Sequence, residues 1–584
     1  MIFTERLLTG PDRAFPTVYA GMAALSMALA CSPAFGQTAS QITQPSYVPP
    51  QTRQSGAISL PATTGQDAPA GAEQLFVTLQ GVDIEGSFPE LAAIGKEIES
   101  NLARRKVSGS DLFAAARDLE TAYARAGYLL VRVSLPPQTI RNGGRLRMVV
   151  TDGYVEAIDV SALPPAVRTR VQSLLAPLVG ARHVKRQEVE KRLLLADDTP
   201  GVVLNSTLKP GEKPGSTLLV IAGRYDPITA DFSLDNGLSR DLGRYTLGIG
   251  TQFNSVFGLG EQMYFRLGGF PDDDLLGSDP RNRQISAGFI LPLGIDGLSV
   301  NVEATDARTE PDTELSYRLR DHYQRLSTRL NYDWLRSRDF NLSSALALDV
   351  ANERQTIVLG SSESPFTEDR LRVLRLSQSI DAETPWGAFL GGVVTASLGL
   401  DALGVRRVTL DLPMTRYGAE PDFRKLEARW SYSQSMLDDR LLLTVNGRAQ
   451  TSFGQALAAS EQIGLGGPDG LSAYDSGTLD GDSGVVSRAE LAFPSVFTSL
   501  AGKTTLAAGF TPYMFASGGA TVLNKPTAVE SETVRASAFG VGFRAALGQT
   551  TGPGAASFSV EYAHGSDSDQ GRENRINLRF VGGF

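Results

Sequence analysis

Cysteine is almost missing from this chain and histidine is rare. Only Cys31 and His183, His322 and His564 occur among 584 residues. A disulfide scaffold needs paired cysteines, and a zinc site needs Cys and His clustered at short spacing, so neither fits and no metal or other cofactor is expected. The string Gly481-Asp482-Ser483-Gly484 imitates the serine region of a trypsin-like protease, but no histidine stands in a context to serve as its base. The run Ala501-Gly502-Lys503-Thr504 ends like a nucleotide-binding loop, yet Phe497 occupies the place of the first required glycine. An enzyme is therefore not expected. Asp272, Asp273 and Asp274 read as solvated loop charge rather than a calcium site. Positive charge is also short: 55 Lys and Arg face 64 Asp and Glu, a net charge of -9, which disfavours a nucleic-acid partner. Finally, no run of 18 or more apolar residues follows Gly36, so any later membrane crossing must be made by strands.

What is present divides the chain into five parts. Residues 1–36 read as a secretory signal: Arg6 and Arg13 precede an apolar run over 18–30, and Ala34-Phe35-Gly36 offers a small-x-small cleavage site. That run is shorter than the roughly 20 residues a spanning helix needs. Cys31 would leave with the signal. Residues 37–73, rich in Pro, Gln, Ser, Thr and Gly without apolar periodicity, read as a disordered tether. Residues 74–152 follow a β-α-α-β-β pattern, with a helix start expected at Ser110-Asp111. In its second helix Leu112, Ala115, Ala116, Leu119, Ala122 and Tyr123 recur at spacings of three and four, which closes one face on a sheet. Residues 153–225 repeat the pattern in different spelling. Each module is near the lower size limit for folding alone, so the two are expected to lean on one another.

From 226 to 584 helical spacing stops and sixteen short alternating segments take over. Each carries one apolar face, as in Ile285, Ala287, Phe289 and Leu291, and one face of small or polar residues, as expected with lipid on one side and water on the other. The 60 glycines suit many turns and a crowded wall. Connections after even segments are short and those after odd segments are longer, including 353–370, 402–423 and 452–484. This alternation predicts an antiparallel membrane β-barrel with tight turns on one rim and loops on the other. The final strand places Ile576, Leu578, Phe580, Gly582 and Phe584 on one face. Phe580 and Phe584 are the expected signal for the barrel-assembly machinery.

Several stretches resemble the two-partner secretion transporters (TpsB type, the haemolysin and filamentous haemagglutinin exporters). Tyr123, Gly127 and Tyr128, then Val131, Val133, Pro136 and Gln138, then Gly144 to Val150 with Asp152 and Gly153, look like the first POTRA module of that family. Ser233, Asp235, Asn236 and Gly237, with Gly243-Arg244 and Gly258-Leu259-Gly260-Glu261, look like its opening barrel strands. The resemblance implies two α+β POTRA domains before a 16-stranded outer-membrane barrel, with the POTRA domains in the periplasm. It further implies a secreted partner exoprotein as cargo, bound through the POTRA residues just named from Tyr123 to Gln138. In the family an N-terminal helix plugs the barrel; no amphipathic helix is read between residues 37 and 72. Assembly of other barrels, which the same superfamily performs, and passive diffusion are the alternatives.

The sixth outer loop departs from the family pattern. Gly466-Gly467 and Leu471-Ser472-Ala473-Tyr474 keep its frame, but Ser472 stands where the family has an arginine, and Ser517 stands where its aspartate partner would be. Losing both partners avoids stranding one buried charge, a penalty of about 3 to 5 kcal/mol. The expectation is a loop still inside the lumen, latched by Ser472, Ser517 and Tyr474 through neutral hydrogen bonds.

Overall fold

The computed structural model describes residues 37–43, 58–59, 67–313, 316–409, 411–501, 504–549, 554–569 and 571–584. A single-turn helix, α1 (Ala39–Ile42), comes first. The first module follows. Strand Gly81–Glu85 pairs in parallel with Arg145–Thr151, which pairs on its other side with Arg132–Ser134. Helices α2 (Ala92–Leu102) and α3 (Gly109–Arg125) cover this sheet. The α3 cap lies earlier than Ser110: the Ser108 hydroxyl accepts from Asp111 N (3.2 Å) and the Asp111 carboxylate accepts from Ser108 N (2.7 Å). These two bonds satisfy two otherwise orphaned donors. Below the cap, Leu112, Ala115, Ala116, Leu119 and Tyr123 pack on Leu146 and Met148, both fully buried.

The second module is built alike, from α4 (Pro165–Leu175), α5 (Arg186–Asp197) and a sheet in the order 202–210, 216–225, 154–159. The modules do lean on one another. Gly127 O accepts from Arg186 N at 2.7 Å, and the Phe88 and His183 rings lie 4.2 Å apart.

After Tyr225 the chain makes β1 (Ile228–Asp235), β2 (Thr246–Asn254), β3 (Gln262–Gly269), β4 (Asn282–Leu293), β5 (Leu298–Thr309) and β6 (Arg318–Arg336). It continues through β7 (Phe340–Leu359), β8 (Ser362–Glu383), β9 (Ala388–Gly399), β10 (Arg424–Met436) and β11 (Leu441–Thr451). Strand β12 comes in two pieces, Ser483–Ala492 and Ser495–Ala501, because Pro494 has no N–H to donate to the ladder. Both pieces pair with β13 (Thr504–Val522). Then come β14 (Thr533–Gln549), β15 (Ala555–Asp567) and β16 (Arg572–Gly583), and β16 pairs with β1 to close a sixteen-stranded antiparallel barrel. No helix among the described residues is long and apolar enough to cross a membrane; the wall is made of strands.

The wall alternates as water and lipid on opposite sides require. Ile249, Phe265, Leu376, Val394, Met514 and Val541 are exposed outward, while Glu303, Asp349, Arg488 and Glu561 are buried inward. Trp334 and Trp386 lie exposed near the even-numbered turns, where an aromatic belt belongs. Those turns are short, as at 294–297, 337–339 and 384–387, and the second module sits against them. Asp198 takes a two-point bond from Arg336 (2.8 and 2.9 Å), Arg192 meets Asp296 at 3.0 Å, and Arg170 donates to Gly294 O at 2.7 Å.

The opposite rim corrects one sequence reading. Residues 353–370 are not a loop: β7 and β8 stay paired out to Leu359 and Ser362 and turn through Gly360 and Ser361. The polar side chains there project from a hairpin that continues past the lipid band.

Candidate functional site

The lumen is filled by two segments of the chain. The first is residues 37–43, where the sequence reading expected only a tether. A capping box closes α1: Thr38 Oγ1 accepts from Gln41 N at 3.3 Å, and Gln41 Oε1 accepts from Thr38 N at 2.8 Å. Its leading amides find carboxylates on the wall, Ala39 N donating to Asp321 on β6 and Ser40 N to Glu353 on β7, both at 3.1 Å. Helix starts leave such donors open and favour negative charge beside them. Gln41 Nε2 donates to Asp480 at 2.6 Å, and Ala39 is fully buried against a cluster that includes Tyr323, Met414 and Phe423. Seven residues, six of them polar or small and none in an apolar periodicity, therefore hold a fixed place, because the barrel supplies partners that no local pattern announces.

The second segment is the loop 452–482. Its base is fixed by charge. Glu461 takes two bonds from Arg375 on β8 (2.6 and 3.1 Å) and lies 2.8 Å from Lys425 on β10. Asp482 accepts from Leu457 N (2.9 Å) and Asn524 N (2.7 Å) and faces Arg416 at 3.4 Å. The tip is a compact knot: Gly467 N donates to Tyr474 O (3.2 Å) and Leu471 N to Leu465 O (2.9 Å). At Gly466 an added Cβ would lie 2.1 Å from Asp475 O, so only glycine permits the crossing. Leu471 is fully buried, and Ala473 and Tyr474 press on the wall at Gly565 of β15, where a Cβ would come within 2.7 and 2.8 Å of them. The tip is also tied to the α1 stretch, since Ser476 O accepts from Gln37 Nε2.

The latch at this tip differs from the neutral one expected. Ser517 does not meet Ser472; its hydroxyl donates to Ala538 O at 3.3 Å. Ser472 Oγ instead accepts from Arg488 Nη1 on β12 at 3.1 Å, and Ser472 O accepts from Asn577 on β16 at 2.8 Å. Arg488 is buried, lies 3.6 Å over the Phe515 ring, and pairs with Glu561 of β15 (2.5 Å) and Glu490 (3.3 Å). Glu490 in turn holds Arg544 at 2.5 Å, and Tyr513 donates to Glu561 at 2.9 Å. Two guanidiniums and two carboxylates balance, which is the condition under which buried charge is tolerable. In register Arg488 stands directly opposite Ser517. The signal was available in the sequence: alternation along β12 puts Arg488 and Glu490 on the lumen face.

Other expected site residues fall differently. Tyr123, Tyr128, Val131 and Val133 are buried in the first module's core, so their side chains are closed to a partner. Tyr123 Oη accepts from Phe88 N at 2.9 Å. Gly127 turns with a positive φ of 96° at the end of α3. Pro136 is partly exposed, and the Gln138 amide exchanges bonds with the Arg147 backbone (2.7 and 2.9 Å), continuing the ladder as a surrogate strand. The edge amide of Val133 is taken by Glu120 at 2.9 Å. In the second module Ile58 and Ser59 pair in parallel with Ser206 and Thr207 on the edge of strand Val202–Pro210. Phe580 lies in the closing seam opposite Leu234, and Phe584 exchanges backbone bonds with Ala230.

Comparison with known proteins gives one consistent neighbourhood. The family model "Haemolysin secretion/activation protein ShlB/FhaC/HecB" matches residues 215–545, and the ShlB-type POTRA domain model matches residues 77–153. The heme/hemopexin transporter protein HuxB of Haemophilus influenzae (strain 86-028NP) is 24% identical over 421 residues, covering 69% of this chain and 68% of that protein. Among solved structures, CdiB from Escherichia coli has a TM-score of 0.65 at 17% identity, covering all of both chains. CdiB from Acinetobacter baumannii has 0.56 at 14%, covering 99% of this chain and 100% of the other.

Proposed function

The chain belongs to the haemolysin secretion/activation family ShlB/FhaC/HecB, and from that premise we propose that it passes one large exoprotein, captured unfolded in the periplasm, through its own lumen to the cell surface. It is an outer-membrane barrel with periplasmic POTRA domains, and members of this family translocate partner exoproteins. The observation that carries the reading here is the double filling of the lumen. Residues 37–43 and the loop 452–482 occupy a polar passage through bonds to its wall, an arrangement suited to a conduit that opens for a particular cargo. A diffusion pore gains nothing from it.

Capture follows from sheet edges. An extended segment gains main-chain hydrogen bonds by joining an open edge, and the edge of strand Val202–Pro210 already accepts Ile58 and Ser59 in this way. We assign cargo docking to that edge, where the cargo would displace Ile58 and Ser59, and to backbone near Pro136, since most of the side chains first expected to bind are buried. Arg488 holds the loop tip closed from the wall. Transport needs no bond-making; folding of the cargo outside supplies direction. The protein's own insertion would use barrel-assembly machinery reading the last strand. The test compares surface and periplasmic proteins of a deletion strain with its parent. One large protein missing from the surface and accumulating in the periplasm supports export, and a general loss of barrels overturns it.

A further inference from the structure

Between β8, β9 and β10 the outer wall carries a groove of about 310 Å³ lined almost wholly by apolar surface. Its shape follows from register. Leu376, Ala396 and Leu426 form one cross-strand row, and Ala396, with a single methyl, leaves the floor between two exposed leucines. The next row outward is Leu374, Leu398 and Arg424. Arg424 opens β10 on the loop rim, and Leu398 is the next-to-last residue of the twelve-residue β9. A strand crosses the hydrocarbon in about 9–11 residues, so the groove lies in the outer leaflet with its cation at the headgroup level.

Charge around Glu368 is unbalanced. Arg354, Arg370 and Arg406 all converge on one carboxylate, Glu368, at 3.0, 2.9 and 3.9 Å. Arg372, one step outward from Leu374 on the same face, bonds only neutral acceptors, among them Leu403 O at 2.9 Å. The exposed Arg424 guanidinium makes no ion pair among the described residues. Of the neighbouring acids, Asp401 bonds Arg407 and Asp422 makes no ion pair among the described residues.

We propose that this groove binds lipopolysaccharide of the outer leaflet, an acyl chain lying over Ala396 and an anchor phosphate on Arg424. Guanidinium is the side chain best matched to phosphate, and basic clusters beside apolar wall are how membrane proteins select anionic lipids. Ligand pockets of small molecules begin at about 300 Å³, which suits one stretch of chain rather than a whole lipid.

The full chain in nanodiscs would be examined by native mass spectrometry with added diphosphorylated lipid A, its dephosphorylated form, or phosphatidylglycerol. The wild type should retain one diphosphorylated lipid A at collision energies that strip the other two. Arg424→Glu should lower that retention by about tenfold, Ala396→Phe should abolish it, and Val541→Phe on the far wall should leave it unchanged. Equal retention of phosphatidylglycerol, or wild-type retention by Arg424→Glu, would overturn the proposal. Arg424 lies at the solvent end of its strand, so its replacement does not threaten barrel assembly.

Discussion

Arg488 concentrates the chemistry of the lumen in one side chain. It faces two carboxylates, an aromatic ring and the Ser472 hydroxyl, and every one of these sits on a different strand or loop. Truncating it strands a buried carboxylate, so Arg488→Ala should cost about 3 to 5 kcal/mol. The readouts are a lower temperature for loss of heat-modifiable migration on gels and a raised resting conductance in planar bilayers. The paired variant Arg488→Met with Glu561→Gln should recover most of the stability, because removing both members of such a pair leaves nothing unpaired, while the conductance stays raised. A double variant no more stable than the single one would mean that pairing is not what Arg488 supplies. Sequence reading found the frame of this site, Gly466 to Tyr474, because it is contiguous. It missed the latch because Arg488 and Glu561 lie 73 residues apart and meet only through barrel closure.

At the scale of elements, helix α3 rests on its cap. Hydrogen bonds from the Ser108 backbone and then its hydroxyl hold the Asp111 carboxyl below its usual value of 3.8. A depressed carboxyl contributes stability that is present above pH 3.8 and lost as pH falls through the lower folded value. Unfolding followed by circular dichroism should therefore show the first module weakening below pH 3.8, and Asp111→Asn should flatten that dependence while lowering stability at neutral pH. The element least visible beforehand was α1. Four residues cannot show a helical stripe, and isolated helices this short are unstable in water, so its order comes from Asp321, Glu353 and Asp480. Deleting residues 37–43 should leave the barrel's thermal transition nearly unchanged but raise bilayer conductance several-fold; unchanged conductance would mean that the loop alone closes the lumen. The strands were legible for the opposite reason: a period of two repeats in every segment. The clearest misreading is the β7–β8 hairpin, since polar strands outside lipid lose the apolar face that marks the others.

For the whole molecule, the route of the cargo is the question. A passage through the lumen leaves the β1–β16 seam shut, although that seam is short, pairing Asp231–Asp235 with Arg579–Gly583. Ser233 and Val581 are direct register partners, and Cys31 is the only natural cysteine. In a Cys31→Ser background, a Ser233→Cys, Val581→Cys pair can therefore be cross-linked without competing thiols. Export should continue at the wild-type rate when the seam is cross-linked; a stop that reduction reverses would place the route through the wall.

That same seam sets the timing of the protein's own birth. Its closing partner is β16, the last of the sixteen strands, with Phe584 bonded to Ala230. Because the first stave must meet the last, the cylinder can close only after every strand between them is in place, and a variant lacking β16 would meet the membrane with two raw edges.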